Sequence, residues 1–408
     1  MSSRKIPAKI CGSIAIGLLL TFSLFPPASG ASRELLVLME PDGTGGWREL
    51  ANRFNASHPE VPVRLVEGPP STDTREDMYS TSFLAGRNGY DVVYCDVVWV
   101  PKFAAAGWLM DLSDRLSESD RADFLKADLD GGTYQGKLYR IPAFTDAGVL
   151  YYRSDLVRNP PETFDQLRAD ASSLRSADMW GYVWQGKQYE GLITNYLEIL
   201  WGYGGDWITP DREVGLDSSE ALDALLFLKS AIGSYSPPGV TSYSEEEARN
   251  IFQNGRSAFL RNWFYVWNLA NTKNSKVQNR IGFVPMVHAP GQHAASSLGG
   301  WGFAISKLTP HPEAAWRFVE FLSAPEQLRV LQDKMGRVPS RTSMVPEHFK
   351  KIVANARPRP QIPEYALASD ILQRWLSSAL SGDSDPQQAL HAAAQETRTL
   401  LGKKPNGS

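Results

Sequence analysis

Residues 139–152, Tyr-Arg-Ile-Pro-Ala-Phe-Thr-Asp-Ala-Gly-Val-Leu-Tyr-Tyr, decide how the rest of the chain is divided. The stretch opens as a strand ending at Pro142, which cannot donate to a sheet ladder and disfavours helix for the residue before it. A small-residue step with one carboxylate, Asp146, follows, and 148–152 is a second β-rich run. A carboxylate between two strand-like runs is either a turn former or part of a crossover between two lobes, with Asp146 in the cleft. The flanking sequence has to choose between these.

Upstream, Leu-Leu-Val-Leu-Met at 35–39 is continuously apolar, as expected of a strand covered on both faces. A turn cluster at 40–46, Glu-Pro-Asp-Gly-Thr-Gly-Gly, precedes residues at helical spacing from Trp47. Further strands are expected at 61–66 and 90–94, with a polar helix over 73–85 between them. Strands alternating with helices imply parallel βαβ units and an α/β lobe. Ligands in such sheets bind beyond the carboxyl ends of the strands, where Glu40 and Asp96 fall. Downstream, a hairpin over 131–142 leads into the opening stretch. Strands at 181–184, 257–260, 281–284 and 302–305 then alternate with helices, and no internal repeat is present.

The chain has 408 residues, more than one ordinary domain holds. Its 42% hydrophobic and 21% charged content fits a globular protein with large cores. Arg4, Lys5 and Lys9 precede an apolar run at 14–25, and Ser29, Gly30 and Ala31 supply small residues. This reads as a secretory leader occupying 1–31, cleaved near Ala31, whose apolar core is short for a membrane span. Cys11 precedes that core, so no lipid-anchoring cysteine follows it, and a soluble periplasmic protein is expected. The formal charge of −3 becomes three units more negative once the leader is gone. Such a surface argues against nucleic acid or anionic membrane as the main partner. Cys95 alone remains after cleavage, which excludes an intramolecular disulfide.

Zinc-protease, nucleophile-elbow and phosphate-loop motifs are missing, and His58, His288, His293, His311, His348 and His391 include no pair at helical metal spacing. No metal and no cofactor is expected. What remains are carboxylates and aromatics at loop positions: Glu40, Asp42, Asp96, Asp146, Tyr189, Glu190, Trp263, Tyr265 and Trp301. A carboxylate accepts two hydroxyl donors of a sugar, and indole or phenol faces pack on its C–H face. Together they read as a carbohydrate cleft. Asp42 is better read as a helix N-cap or turn former, and Trp47, Trp108, Trp180, Trp316 and Trp375 as core.

From 34 to 401 the chain resembles the extracellular solute-binding proteins of ABC sugar importers, and most of all the trehalose/maltose binders. The likeness rests on 151–167, Tyr-Tyr-Arg-Ser-Asp-Leu-Val-Arg-Asn-Pro-Pro-Glu-Thr-Phe-Asp-Gln-Leu, and on Gly-Lys-Gln-Tyr-Glu-Gly at 186–191. Arg261-Asn262-Trp263, Gly299-Gly300-Trp301 and 357–363, Arg-Pro-Arg-Pro-Gln-Ile-Pro, complete it. The resemblance implies a two-lobed α/β fold of the type II flytrap kind, with discontinuous lobes. Lobe 1 would comprise 32–142 and 288–338, and lobe 2 would comprise 143–287 and 339–408. It places sugar contacts at Glu40, Asp96, Asp146, Trp263, Gly299, Trp301 and Arg359, and further ones at Tyr189 and Glu190. The ligand class implied is trehalose, sucrose, maltose or glucosylglycerol. Phe144, standing where a tyrosine is expected, removes a hydroxyl donor, which counts against trehalose itself and leaves room for the other three. The implied partners are the transmembrane permease subunits of an importer, with the binding protein a monomer and not an enzyme. The competing reading is a secreted glycoside hydrolase using two of Glu40, Asp96 and Asp146, which would need a set carboxyl separation.

Overall fold

Residues 35–39 form a strand for the reason their composition gives: Leu35, Val37 and Leu38 are fully buried, on both faces of the pleat. The computed structural model describes residues 34–86 and 89–402. The leader expected at 1–31 therefore lies outside the described residues. The strands are β1 (Leu35–Met39), β2 (Val63–Glu67), β3 (Val92–Asp96), β4 (Thr133–Tyr134), β5 (Lys137–Leu138), β6 (Ile141–Ala147) and β7 (Val149–Arg153). After them come β8 (Trp180–Val183), β9 (Ser257–Asn262), β10 (Ile281–Val284), β11 (Ser296–Ile305), β12 (Val338–Pro339) and β13 (Ala356–Arg357).

These strands build two main sheets. The larger has the order β12-β6-β11-β3-β1-β2 with β13 beside β11, and the smaller has the order β10-β7-β9-β8. In the larger sheet β1 is parallel to both β2 and β3, as the alternating sequence pattern requires, while β11 enters antiparallel between β3 and β6. Helices cover the sheets, and the Gly46–Ser57 helix buries Trp47, Leu50 and Phe54 against the larger one. Asp42 caps that helix as expected, accepting the Gly46 and Arg48 amides at 3.0 and 2.9 Å. Among the described residues no helix is long and apolar enough to cross a membrane. Cys95 is buried in β3, and burial pushes its thiol far above its ordinary value.

The opening stretch differs from its expected form. The strand does not stop at Pro142 but runs to Ala147 and includes Asp146. A bulge makes this possible. Trp301 pairs with Phe144 and Gly302 with Pro142, so Ala143 is the extra residue in the ladder. The Ala143 carbonyl is not orphaned, because the Ser340 amide donates to it at 3.1 Å.

The chain changes sheet at Gly148, between β6 and β7. The Gly148 amide donates to the Ser297 carbonyl at 3.3 Å. A β-carbon here would lie 1.8 Å from Glu198 Oε1 and 2.4 Å from Arg261 Nη2, so only glycine fits. Glu198 and Arg261 are both fully buried and paired twice, Nε to Oε2 at 2.7 Å and Nη2 to Oε1 at 2.5 Å. Glu198 Oε1 also accepts the Ser297 amide at 3.0 Å. One ion pair thus abuts Gly148 and holds the start of β11.

Candidate ligand-binding site

Strand β11 lays out the site. Its register puts Gly299 opposite Asp146 of β6 and Trp301 opposite Asp96 of β3. Glu40 follows β1 directly, while Asp96 is the last residue of its strand. A cavity of about 380 Å³ opens there, and Glu40, Asp96, Asp146, Tyr189, Glu190, Trp263, Gly299, Trp301 and Arg359 all line it. The nine residues singled out in the sequence therefore come together in one place.

Each carboxylate is held differently. Asp146 Oδ1 accepts the Ala147 amide at 3.0 Å and the Phe264 amide at 2.7 Å. Its Oδ2 has no protein partner among the described residues. Burial raises the Asp146 carboxyl to about 7, against the lowering pull of those amides and of Arg337. Asp96 Oδ1 accepts the Val98 amide at 3.1 Å and Arg359 Nη2 at 3.4 Å, again leaving Oδ2 without a protein partner among the described residues. Glu40 is occupied: Arg337 Nη2 reaches its two oxygens at 3.0 and 2.9 Å, and Trp47 Nε1 and Tyr94 Oη donate to Oε1 at 3.2 and 3.1 Å. Glu190 accepts Arg359 at 2.6 Å, Tyr365 at 2.5 Å and Ser369 at 2.6 Å. Glu190 is thus mainly the anchor of Arg359, whose guanidinium lies between Glu190 and Asp96.

The aromatic walls are also braced from behind. Tyr94 stacks on Trp301 with centroids 4.5 Å apart, and the Arg75 guanidinium lies over the Trp301 ring at 5.0 Å. The Arg261 guanidinium lies 4.2 Å over the Trp263 ring, whose Nε1 donates to Glu245 at 3.3 Å. Tyr189 Oη donates to the other Glu245 oxygen at 2.6 Å, and Tyr265 Oη to Glu246 at 2.7 Å. Gly300 has φ 118°, a conformation L side chains rarely adopt, and a β-carbon there would meet the Phe144 carbonyl at 2.7 Å. At Gly299 a β-carbon would sit 3.0 Å from Trp263 Cζ3 and 3.3 Å from Asp146 Cβ. Gly299→Ala is expected to fold but to displace Trp263, weakening affinity by about tenfold, an overpacking cost of about 1–2 kcal/mol. Calorimetric titration checks this, and unchanged affinity would mean that Trp263 has room to yield.

Several lining residues were not singled out from the sequence: Arg75, Glu245, Glu246 and Arg337. Arg337 has no local signature, since its partner Glu40 lies 297 positions away. It also explains Phe144. That ring is 1% exposed, is absent from the cavity wall, and carries the Arg337 guanidinium at 4.7 Å. The expectation that Phe144 removes a hydroxyl from the ligand's surroundings is corrected by this placement. Phe144 shapes the site through Arg337.

Residues 40–328 match the family described as bacterial extracellular solute-binding protein. A probable ABC transporter-binding protein from Deinococcus radiodurans is 36% identical over 367 residues, covering 84% of this chain and 87% of that one. The maltose-bound T. maritima MalE3 structure superposes with a TM-score of 0.85 at 34% identity, over 90% of this chain and 100% of that one. A solute-binding protein from Agrobacterium radiobacter in complex with ribitol gives 0.82 at 26% identity, over 90% and 98%. The two-lobed type II fold expected from the sequence is the fold of these proteins. The strand-end carboxylates, the braced aromatics and the match over most of the chain have one reading: this protein belongs to the bacterial extracellular solute-binding proteins.

Proposed function

We propose that the chain captures a neutral, hydroxyl-rich solute of disaccharide size and delivers it to the transmembrane permease of an ABC importer. The observation that carries this is the pair Asp96 and Asp146, each lining the cavity with one oxygen tied to main-chain amides, in Asp96 to one amide and Arg359, and the other without a protein partner among the described residues. An oxygen so placed accepts a ligand hydroxyl without moving. Trp263 and Trp301 flank the same space and offer apolar surface to a ring. Six carboxylates against three guanidiniums on the wall oppose an anionic ligand. Maltose, trehalose, sucrose and glucosylglycerol are the candidates, and the maltose bound by the T. maritima relative supports the choice of class.

The two sheets are read as the cores of the two lobes, with the crossover at Gly148 as one hinge strand. Closing them brings Trp263 of the smaller-sheet side toward Glu40 and Asp96 of the larger, so ligand stabilises the closed form through contacts that need both. The mature chain then acts as an exported monomer. The hydrolase alternative is set aside, because the family is one of binding proteins and Glu40 is already engaged by Arg337.

A thermal-shift panel of these sugars and of polyols tests the reading. At a hundredfold excess over its dissociation constant a true ligand adds about 2.7 kcal/mol of stability and a clear rise in melting temperature. A flat response across the panel would overturn the proposal.

A further inference from the structure

A polar chain that ligand contact alone does not account for leads away from the cavity wall at Asp96, Arg359 and Glu190. The Thr72–Leu84 helix stands on the larger-sheet side, where Tyr79 Oη donates to the Leu38 carbonyl of β1 at 2.6 Å. Opposite it are the start of the Glu190–Gly202 helix and the Tyr365–Ser381 helix. Gln373 Nε2 donates to Asp73 Oδ2 at 3.2 Å and to Ser369 Oγ at 3.0 Å, and Ser369 Oγ donates to Glu190 Oε2 at 2.6 Å. Glu190 in turn holds Arg359, which reaches Asp96 in the cavity. Two acids that do not contact each other directly are thus the ends of one network spanning both walls.

We propose that Asp73 is a positioning residue: as a neutral acid it latches the Thr72–Leu84 helix onto the Glu190 and Gln373 wall, so that closure on ligand takes up a proton from water. This rests on the closure described under the proposed function. The groups facing Asp73 favour the acid form. Glu190 and Glu76 are both negative toward it, and burial adds to them. Against these, the Gln373 side chain and the Glu190 amide stabilise the charged form. Lys102 is paired to Glu76 at 2.7 Å, and Arg359 is paired to Glu190. Burial, with the Glu190 charge next, raises the Asp73 carboxyl to about 7 in this contact. When the walls part the group returns toward its ordinary range near 4. A group raised in this way supports the contact fully below its ordinary value and loses that support as pH rises through 7.

The experiment is calorimetric titration of maltose and of trehalose at pH 5.5 and 8 with wild type, Asp73→Asn and Gln373→Ala. Wild-type affinity is expected to fall about tenfold between the two pH values, discounted from the full linkage because Asp73 is only half buried. The amide of Asp73→Asn stands in for the neutral acid, so this variant binds better than wild type at pH 8 and has a shallower profile. Asp146 remains in both proteins, so any slope it adds cancels in the comparison. Gln373→Ala removes the cross-wall donor and is expected to weaken binding several-fold at pH 5.5. Parallel profiles for wild type and Asp73→Asn overturn the inference while leaving the proposed function intact. Should neither sugar bind, the proposed function fails for disaccharides, and the pH dependence of melting carries the test. There wild type loses stability relative to Asp73→Asn toward pH 8, and parallel curves overturn the latch.

Discussion

Asp146→Ala is expected to raise the dissociation constant for the captured sugar by about two orders of magnitude, roughly 3 kcal/mol. Two losses add. The ligand hydroxyl that Oδ2 accepts becomes a buried donor without a partner, at about 1–3 kcal/mol. The Phe264 amide, which donates to Oδ1 at 2.7 Å, is orphaned as well, and it sets the chain direction just after Trp263. Asp146→Asn separates the two. Its carbonyl still accepts the Ala147 and Phe264 amides, while its other atom becomes a donor facing the ligand. Calorimetry should show both variants binding weakly, with unfolding by denaturant altered only in the alanine variant. Affinity retained in both would reduce Asp146 to a structural tie between β6 and the residues after β9.

The largest effect on stability is expected at the ion pair behind the crossover. Arg261→Met leaves Glu198 fully buried with its charge unpaired, a change of about 3–5 kcal/mol. The Ser297 amide still donates to Glu198, but no other cation replaces the two bonds lost. The double variant Glu198→Met with Arg261→Met is expected to recover part of that loss, because apolar groups of similar volume often replace a buried pair at little cost. Urea unfolding followed by tryptophan emission measures both, and a single variant as stable as wild type would show that water or a rotamer change relieves Glu198. Arg261→Met should also loosen Trp263, whose ring loses the guanidinium above it.

How far the sequence led can be judged from particular residues. Glu40 and Asp96 were legible because strand ends in an open sheet define an edge, and acids placed there converge on it, while Asp146 stood out as the one carboxylate between two strand-like runs. Gly299 was reached only through the family resemblance, and Trp301 as an aromatic at an expected loop position, whereas both lie inside β11. Arg337 and Arg75 were not legible. Each is an arginine in or beside a helix, with no local pattern to separate it from a solvated surface residue, and each is given a role only by groups that folding brings near it. The course of β6 past Pro142 was hidden for a related reason. Proline forbids a ladder bond, but a bulge with Ala143 and a new partner strand at Val338–Pro339 absorbs the defect, and neither is visible locally. The resemblance puts a tyrosine hydroxyl at position 144, whereas the Phe144 ring there serves the guanidinium that neutralises Glu40.

Cys95 has a practical consequence. It is the single free cysteine among the described residues, lies without exposure inside β3, and holds its proton far into the alkaline range. A maleimide or spin label reacts with thiolate that it can reach, and this thiol is neither ionised nor reachable. New cysteines can therefore be placed without removing the old one. Leu84 and Leu367, 76% and 61% exposed at the ends of two helices that flank the cavity mouth, are suitable positions. A donor and acceptor dye there would turn the separation of the two walls into an optical ruler, and the native scaffold would stay silent in the labelling.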